Sequence, residues 1–351
     1  MFFEVRSMQQ KRASVKDIAS KLHISLSTVH KALTGKPGVS EARRAEVLAL
    51  AKELGYVVNS AAQSLARKNI TLAIILPRSW QEYFSELKCG MENEITSLSE
   101  CKVNGSFLYI TKETTTDEIC SWVRDISADL IIVCSSIAAI SKTILRATEK
   151  TNLPVFRVGG GVNNPNSICD ITVDAPLSGK LAADFFHCTV KDKIRAAVFT
   201  GSLEIAIHKS KVESFSERIS AYGGTVSVCE TDDSEEKAYT SIRNLFKESP
   251  DINCIYISTS TSKSVCRYIE ENGFSGKISV IGTDVFPELR DYMKQGVMQA
   301  TIYQNQEKVG RYAVRSAYEY LNTKNSYGSS VKEIERNILI SPKLLLRANI
   351  E

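Results

Sequence analysis

The chain has 351 residues, of which 43% are hydrophobic and 24% are charged, an ordinary balance for folded domains that bury a core. At this length two or three domains are expected rather than one. The longest apolar runs, at 72–77 and 130–134, have the length of strands, so no membrane-spanning segment is predicted. The first twelve residues lack a basic start followed by a sustained apolar stretch, so no secretory signal is expected.

The formal net charge of +4 is distributed unevenly along the chain. Residues 1–68 contain twelve Lys or Arg against five Asp or Glu, a balance of +7, whereas the rest carries 32 basic and 35 acidic residues, a balance of −3. A concentrated positive charge is expected where a protein meets phosphates, as in DNA-binding domains. A solvated basic surface is the alternative, but it gives no reason for the segregation.

Nine cysteines are scattered along the chain, and no two of them form a C-x-x-C pair. An odd number without a secretory signal favours reduced thiols and a cytoplasmic location. The four histidines show no metal-ligand spacing with these cysteines, so neither a metal site nor a cofactor is expected.

The segment 14–33 predicts two short helices separated by a tight turn. Ser14 and Ser25 are candidate N-caps, and apolar residues at helical spacing give each helix one inward face. The second helix turns four other residues outward, namely Leu26, Ser27, His30 and Lys31. Such side chains suit the edges of base pairs in a major groove. Taken alone, the pattern is equally typical of a helical hairpin with a solvated face.

A third helix is predicted over 41–54, after a Gly/Pro loop and with Ser40 as its N-cap. Val47, Leu48 and Ala51 are expected to face inward, and Gly55 is expected to be the C-cap. Three short helices in about 45 residues are typical of a helix-turn-helix domain. The next segment, 60–69, has Leu65 as its one large apolar residue and therefore reads as a linker that becomes helical only when it is supported.

From residue 70 onward, apolar strand-like runs alternate with amphipathic helical stretches, which predicts parallel sheets covered by helices. The pattern restarts after Asp174, so two similar α/β lobes are expected, with a cleft at the carboxyl ends of their strands. The predicted domains are a helix-turn-helix domain (13–58), a hinge (59–69) and an α/β domain (70–341), with lobe 1 at 70–174 and 306–335 and lobe 2 at 175–305 and 336–351.

The chain resembles the lactose-repressor/galactose-repressor family of transcription regulators. The resemblance lies in VKDIA (15–19), S-x-x-T-V (25–29) followed by KAL, GKPGVSEARRAEVLALAKELGY (35–56) and the hinge pattern N-x-x-A-x-x-L (59–65). Further along, segments at 83–92, 171–186 and 278–310 resemble ribose-type sugar-binding proteins. The implied fold is an all-α helix-turn-helix headpiece joined to a periplasmic-binding-protein-like α/β domain of two doubly wound lobes.

The resemblance also implies a homodimer that binds a pseudo-palindromic operator in double-stranded DNA. Leu26 and Ser27 would read base edges, with His30 and Lys31 on bases or nearby phosphates. Contacts to the DNA backbone are implied for Ser14, Ser25, Thr28 and Asn59. In the hinge pattern, which includes Ala62, Leu65 would press into the minor groove and kink it, the alternative being ordinary packing of Leu65 against the core. A tetramer is not expected, because no heptad repeat follows Pro342.

Three positions depart from the family pattern near the DNA-binding segment. Lys31 stands where Arg is usual, which keeps the charge and loses the bidentate fork. His23 replaces the glycine of the turn, where a positive φ is expected. Val58 replaces a proline before the hinge, so the entry to the hinge is expected to be less rigid.

The resemblance implies a small effector, sugar-like, bound in the cleft. Asp284 and Gln304 match residues that bind sugar hydroxyls, although Asp284 also fits a simple polar cap at a strand end. Tyr83 and Phe84 match aromatic residues that pack on the sugar ring. Thr259-Ser260 occupies the position of the Asn-Asp pair that is usual in the family, and Lys209 occupies the position of the usual Arg. The Asp that the family usually has in the first lobe has no counterpart in this chain. Because these polar sugar-binding residues are missing, the ligand is expected to be unusual, smaller or charged, or the cleft is expected to bind no ligand.

The sequence therefore predicts a sequence-specific DNA-binding regulator, a repressor, whose operator affinity is controlled by a small molecule. The alternative is a sugar-binding receptor without a DNA role, which would leave the basic region unexplained. An enzyme is not expected, because no nucleophile elbow, phosphate loop or paired carboxylates occur. The GGG at 159–161 lacks the G-x-G-x-x-G spacing and reads as a turn.

Overall fold

The computed structural model describes residues 14–33, 38–54, 69–78, 81–134, 138–159, 166–327 and 335–350. The chain forms two compact units, a small N-terminal helical unit and a large α/β unit. In the described parts, no helix is both long enough and apolar enough to cross a lipid bilayer.

The helical unit contains α1 (Val15–Leu22), α2 (Leu26–Leu33) and α3 (Glu41–Glu53). One residue from each helix, Ile18, Val29 and Val47, is fully buried, and an alanine from each helix fills the space around them. The expectation for Leu48 is wrong: its side chain is 47% exposed. Ala51 lies one turn beyond Val47 on the inner face, whereas Leu48 is rotated by about 100° from Val47 toward solvent.

The ends of these helices are fixed by local hydrogen bonds. Ser14 and Asp17 form a capping box, in which the Ser14 backbone N–H donates to Asp17 Oδ2 at 2.7 Å. His23 ends α1 in the left-handed region, with φ 51° and ψ 43°, which confirms the positive φ expected where a glycine is usual. Ser40 caps α3, whose C-cap is Leu54; Gly55 lies outside the described residues.

The large unit alternates strands and helices, as the sequence predicts. Its strands are β1 (Ile70–Pro77), β2 (Val103–Ile110), β3 (Leu130–Cys134), β4 (Val155–Val158), β5 (Ser167–Val173), β6 (Arg195–Thr200), β7 (Thr225–Glu230), β8 (Cys254–Ile257), β9 (Ser279–Thr283), β10 (Ala300–Tyr303), β11 (Asn337–Ile340) and β12 (Lys343–Leu346). Its α-helices are α4 (Gln81–Ser97), α5 (Thr116–Asp125), α6 (Ala138–Thr151), α7 (Ala175–Thr189), α8 (Ala206–Ala221), α9 (Glu235–Glu248), α10 (Ser262–Glu271), α11 (Pro287–Lys294) and α12 (Gln306–Tyr327).

The strands form two six-stranded sheets, one in each lobe. The order is β11-β5-β4-β3-β1-β2 in the first lobe and β12-β10-β9-β8-β6-β7 in the second. All pairs are parallel except β10 with β12. Because the chain winds outward in both directions from the first strand of each sheet, the carboxyl ends of the central strands leave an open crevice.

The chain crosses between the lobes at three places: at Asp174, at Gln304-Asn305 and at Ser341-Pro342. The Asp174 backbone N–H donates to the Ile340 carbonyl at 2.9 Å, which ties the first crossing to the third. Asn305 in the second crossing adopts a left-handed conformation, with φ 61°. Three short connections restrict the relative motion of the lobes to bending at these segments.

The expected lobe boundary is wrong at the C-terminal end. Residues 336–351 were assigned to lobe 2 as a block, but Asn337–Ile340 pair in parallel with Asp170–Val173 in the first sheet. Only β12 joins the second sheet, antiparallel to β10. The third crossing therefore divides this segment, and each lobe receives one edge strand from it.

Helix α12 packs on α4 at very short range in the first lobe. A Cβ on Gly90 would overlap the Glu307 carbonyl, and a Cβ on Gly310 would overlap the Leu87 carbonyl. Beside this contact Glu94 is buried and forms ion pairs with Arg311 and Arg315. This packing fixes the position of α4, which carries the aromatic residues of the cleft.

Candidate DNA-binding helix and ligand cleft

Helix α2 presents two chemically different faces. Val29 and Ala32 are buried in the core of the helical unit. The side chains predicted to read DNA, Leu26, Ser27, His30 and Lys31, are all exposed. Leu26 is 48% exposed, so this face presents an apolar side chain beside polar and basic ones. The outer face of the helix is therefore exposed to solvent.

The hydroxyl groups predicted to contact the DNA backbone lie at helix starts. Ser25 Oγ accepts from the Thr28 backbone N–H at 3.0 Å and lies 2.9 Å from Thr28 Oγ1, and Ser14 holds the start of α1. Both serines are exposed, so they lie at surface positions that a phosphate can reach. Asn59, Ala62 and Leu65 of the predicted hinge lie outside the described residues.

Arg44 on α3 fixes the other end of α2, a contact not expected from the sequence. Its guanidinium donates to the carbonyls of Lys31 and Ala32 at 3.3 and 3.2 Å. These carbonyls lie near the C-terminal end of the helix, where carbonyls lack intrahelical partners and a positive charge is favourable. An arginine in the first turn of α3 gave no signal of its own, because exposed arginines are common on helices.

In the large unit, a cavity of about 740 Å³, including its open mouth, lies between the lobes. Its lining residues are Tyr83, Phe84, Leu87, Val158 and Gly159 from the first lobe, Ile207, His208, Lys211, Asp233, Ser258, Thr259, Ser260, Asp284 and Phe286 from the second, and Gln304 from a crossing. Several of them directly follow the strands, as expected at the carboxyl edge of a parallel sheet.

A buried polar network forms the floor of the cleft. Gln304 donates from its backbone N–H to Asp284 Oδ1 at 3.0 Å and from its side-chain amide to Oδ2 at 2.7 Å. The Lys211 ammonium donates to Gln304 Oε1 at 3.1 Å and to the Ser258 carbonyl at 3.2 Å. Burial lowers the pKa of Lys211 to about 8, with Asp284 and Asp233 opposing the shift. Burial also raises the pKa of Asp284, against its hydrogen bonds with Gln304.

The prediction that Lys209 lines the cleft is wrong. Lys209 is exposed and lies 3.8 Å from Glu213, one turn along α8, whereas Lys211 is 2% exposed and reaches the network. Two helical positions differ by about 200° in direction, so only one of these lysines can face inward. Lys211 therefore occupies the place that the sequence comparison gave to Lys209.

The other predicted effector residues do line the cleft. The rings of Tyr83 and Phe84 meet edge to face, with their centroids 5.1 Å apart. Burial raises the pKa of the Tyr83 hydroxyl, and the charge of Asp284 raises it further. The Thr259 hydroxyl lies 3.0 Å from that of Thr261. The structure thus brings Tyr83, Phe84, Thr259, Asp284 and Gln304 together, and it leaves out Lys209.

Besides Lys211, two further ionisable residues of the cleft were not predicted, His208 and Asp233. His208 Nε2 lies 3.7 Å from Asp233 Oδ2, and each side chain is 12% exposed. Burial lowers the pKa of His208 to about 4, assisted by Lys211, and raises the pKa of Asp233. Asp233 follows β7 by three residues, so the rule that polar residues gather at strand ends was the signal that could have found it.

No group of three or more His, Cys, Asp or Glu is placed to hold a metal ion in the described part of the chain. The polar groups of the cleft face one another and one cavity, without an arrangement of nucleophile and base. Their geometry suits non-covalent binding of a small polar molecule.

Comparison with known proteins gives a family match for each of the two units. Residues 14–59 match the family described as bacterial regulatory proteins, lacI family, and residues 72–325 match the periplasmic binding protein domain. The chain belongs to the lacI family of regulators. In this family member, the periplasmic-binding-protein domain makes up most of the chain and is the two-lobed α/β unit described above.

Relatives and solved structures resemble the chain over most of its length. Catabolite control protein A of Priestia megaterium is 22% identical over 93% of this chain and 97% of its own. The transcriptional repressor PurR of Aliivibrio salmonicida (strain LFI1238) is 24% identical over 89% and 93%. The structure of a periplasmic ribose ABC transporter from Conexibacter woesei DSM 14684 superimposes with a TM-score of 0.69 at 20% identity, covering 81% of this chain and 94% of that one. That likeness shows a shared fold.

Replacing Lys211 with Met is expected to lower the free energy of unfolding by about 3 kcal/mol, because it leaves Asp284 and Gln304 buried without their cation. Replacing Lys209 with Met is the matched control and is expected to change it by less than about 0.5 kcal/mol, since the exposed pair with Glu213 contributes little. Urea unfolding followed by circular dichroism measures both. Equal effects of the two substitutions would contradict the placement of Lys211.

The depressed pKa of His208 predicts a loss of stability in acid. Between the unfolded pKa of about 6.5 and the folded value of about 4, the unfolded chain binds a proton that the folded chain excludes, so the folded state weakens as pH falls. Relative to a His208→Gln variant, the wild type is expected to lose about 2 kcal/mol between pH 7 and pH 5. Parallel stability curves for the two proteins, measured by urea unfolding at each pH, would contradict this.

Proposed function

We propose that this lacI-family protein is a repressor that binds a pseudo-palindromic DNA operator as a homodimer and is controlled by a small ligand in the cleft. The observation that carries the proposal is the outward face of α2, where Leu26, Ser27, His30 and Lys31 are exposed above a fully buried core. A cytoplasmic location follows from a DNA partner. The predicted domain limits at 13–58, 59–69 and 70–341 are part of the same proposal.

The chemistry of α2 supports base reading at the start of the helix. Leu26 offers an apolar surface for a thymine methyl group, and Ser27 offers a donor and an acceptor. His30 and Lys31, one turn later, are suited to bases or to phosphates. The +7 balance of residues 1–68 supports attraction to the DNA backbone. The roles of Asn59, Ala62 and Leu65 in the minor groove rest on the family resemblance.

The link between the cleft and the DNA is proposed to run through lobe closure. Gln304 belongs both to the cleft network and to a crossing between the lobes. A ligand that binds one lobe arrangement more tightly shifts the population toward it, and the spacing of the two DNA-binding units in a dimer changes with it. The proposed ligand is sugar-like, because the cleft combines aromatic rings with carboxylate, amide and hydroxyl groups. The large unit also shares its fold with the periplasmic ribose ABC transporter of Conexibacter woesei.

Replacing Lys31 with Ala is expected to weaken binding to all DNA sequences by a similar factor. It also lowers the slope of log K against log salt concentration by about 0.9, because one fewer phosphate counterion is released. An operator selected in vitro from random duplexes and a scrambled duplex provide the two substrates. Lys294→Ala, an exposed lysine on α11, is the control and leaves the slope unchanged. A salt-independent affinity of the wild type would contradict the DNA-binding role.

Replacing Asp284 with Asn is expected to abolish the response of DNA binding to the effector while leaving operator affinity without effector within about twofold of the wild type. Asparagine tolerates the left-handed backbone of this position, where φ is 66°, and removes the charge alone. Operator titrations with and without a ligand found by thermal-shift screening of sugars make the measurement. An unchanged response would move the effector site out of this cleft.

A further inference from the structure

The ionic groups of the cleft are only partly matched with one another. Among the described lining residues, Lys211 carries the one ammonium, and Asp284 and Asp233 carry two carboxylates. Gln304 donates to both oxygens of Asp284, and Lys211 donates to Gln304, so these three residues form one connected network. The Lys211 ammonium also donates to the Ser258 carbonyl. Asp233 lies outside this set of hydrogen bonds.

The carboxylate of Asp233 faces the cavity without a hydrogen-bond donor from the described residues. His208 Nε2 lies 3.7 Å from Asp233 Oδ2, beyond hydrogen-bonding distance. The imidazole is neutral near pH 7, because burial holds its pKa at about 4. Lys211 stabilises the Asp233 carboxylate only through its charge. A carboxylate that is 12% exposed and lacks a donor is costly, so a ligand that supplies one gains affinity.

The opposite walls of the cleft are apolar. Phe84, Leu87 and Val158 come from the first lobe, and Ile207 and Phe286 come from the second. Such walls cover the C–H faces of a sugar ring and exclude water as the lobes approach each other. Exclusion of water strengthens the interaction of Asp233 with a charged donor more than with a neutral hydroxyl.

We propose that the cleft binds an amino sugar, whose protonated amino group donates to Asp233 and whose ring lies between Phe84 and Phe286. An ammonium provides several donors and also neutralises the carboxylate that the protein leaves unmatched. The hydroxyl group of a neutral sugar provides a hydrogen bond without the charge. This inference rests on the proposed function, since it names the ligand class of the same effector site.

The test compares sugars that differ at one position. Isothermal titration of the full-length protein at pH 7 uses D-glucosamine against D-glucose, D-galactosamine against D-galactose and D-mannosamine against D-mannose. At least one amino sugar is expected to bind about tenfold or more tightly than its neutral partner. Its N-acetyl derivative, which keeps the nitrogen and loses the charge, is expected to bind no better than the neutral sugar.

Two neighbouring aspartates provide matched variants. Asp233→Asn removes the charge that faces the cavity and is expected to bring the ratio of the two affinities to about one. Asp232→Asn removes an exposed carboxylate that lies 2.6 Å from the Lys237 ammonium and is expected to leave the ratio unchanged. Both positions have left-handed backbones, with φ of 55° and 48°, and asparagine adopts this conformation readily. Both variants therefore keep the turn after β7.

Four results would overturn the inference: equal or weaker binding of every amino sugar than of its neutral partner, no measurable binding of any amino sugar, tight binding of the N-acetyl derivative, or an unchanged ratio in Asp233→Asn. The comparison of sugars on the wild type needs no variant, so it stands even if a variant folds poorly. A neutral sugar that alone binds and alters operator affinity overturns this inference and supports the proposed function. An amino sugar that binds without altering operator affinity supports this inference and contradicts the proposed function.

Discussion

The arrangement of the large unit depends on the hydrogen-bonded chain from Asp284 through Gln304 to Lys211. Each residue comes from a different element: the end of β9, the crossing after β10 and the inner face of α8. A buried carboxylate and a buried ammonium are each unfavourable alone, and one amide that bonds to both makes them compatible. Because Gln304 lies in a crossing, a segment at which the lobes bend also provides part of the polar floor of the cleft.

The helical unit differs from the large unit, because it exposes apolar and basic side chains and has to remain folded with a small core. Three buried aliphatic residues, Ile18, Val29 and Val47, provide its core, and capping by Ser14 and Ser40 fixes two of its helix starts. Stability and recognition are therefore assigned to different faces of the same short helices. In the large unit the two roles overlap, because the residues that line the cleft also join its elements.

The alternation of strands and helices made the α/β architecture predictable, because buried parallel strands need long apolar runs and covering helices. The sequence did not reveal how the last segment divides between the lobes, since β11 and β12 have four residues each and pair through long-range contacts. Leu48 and Lys209 were placed wrongly because neighbouring helical positions differ by about 100°, and a shift of one or two residues reverses a side chain. His208 lies in the first turn of α8 and Asp233 in the turn after β7, and only the folded chain brings these two segments together.

Arg44 has a consequence for how such a regulator acquires new targets in evolution. The guanidinium holds the last turn of α2 through backbone carbonyls, and these are present whatever side chains the helix carries. The orientation of the helix therefore does not depend on the identity of its four outward residues. Substitutions at Leu26 or Ser27, the residues proposed to read base edges, therefore change the outer surface of the helix while the backbone contacts that hold it are retained.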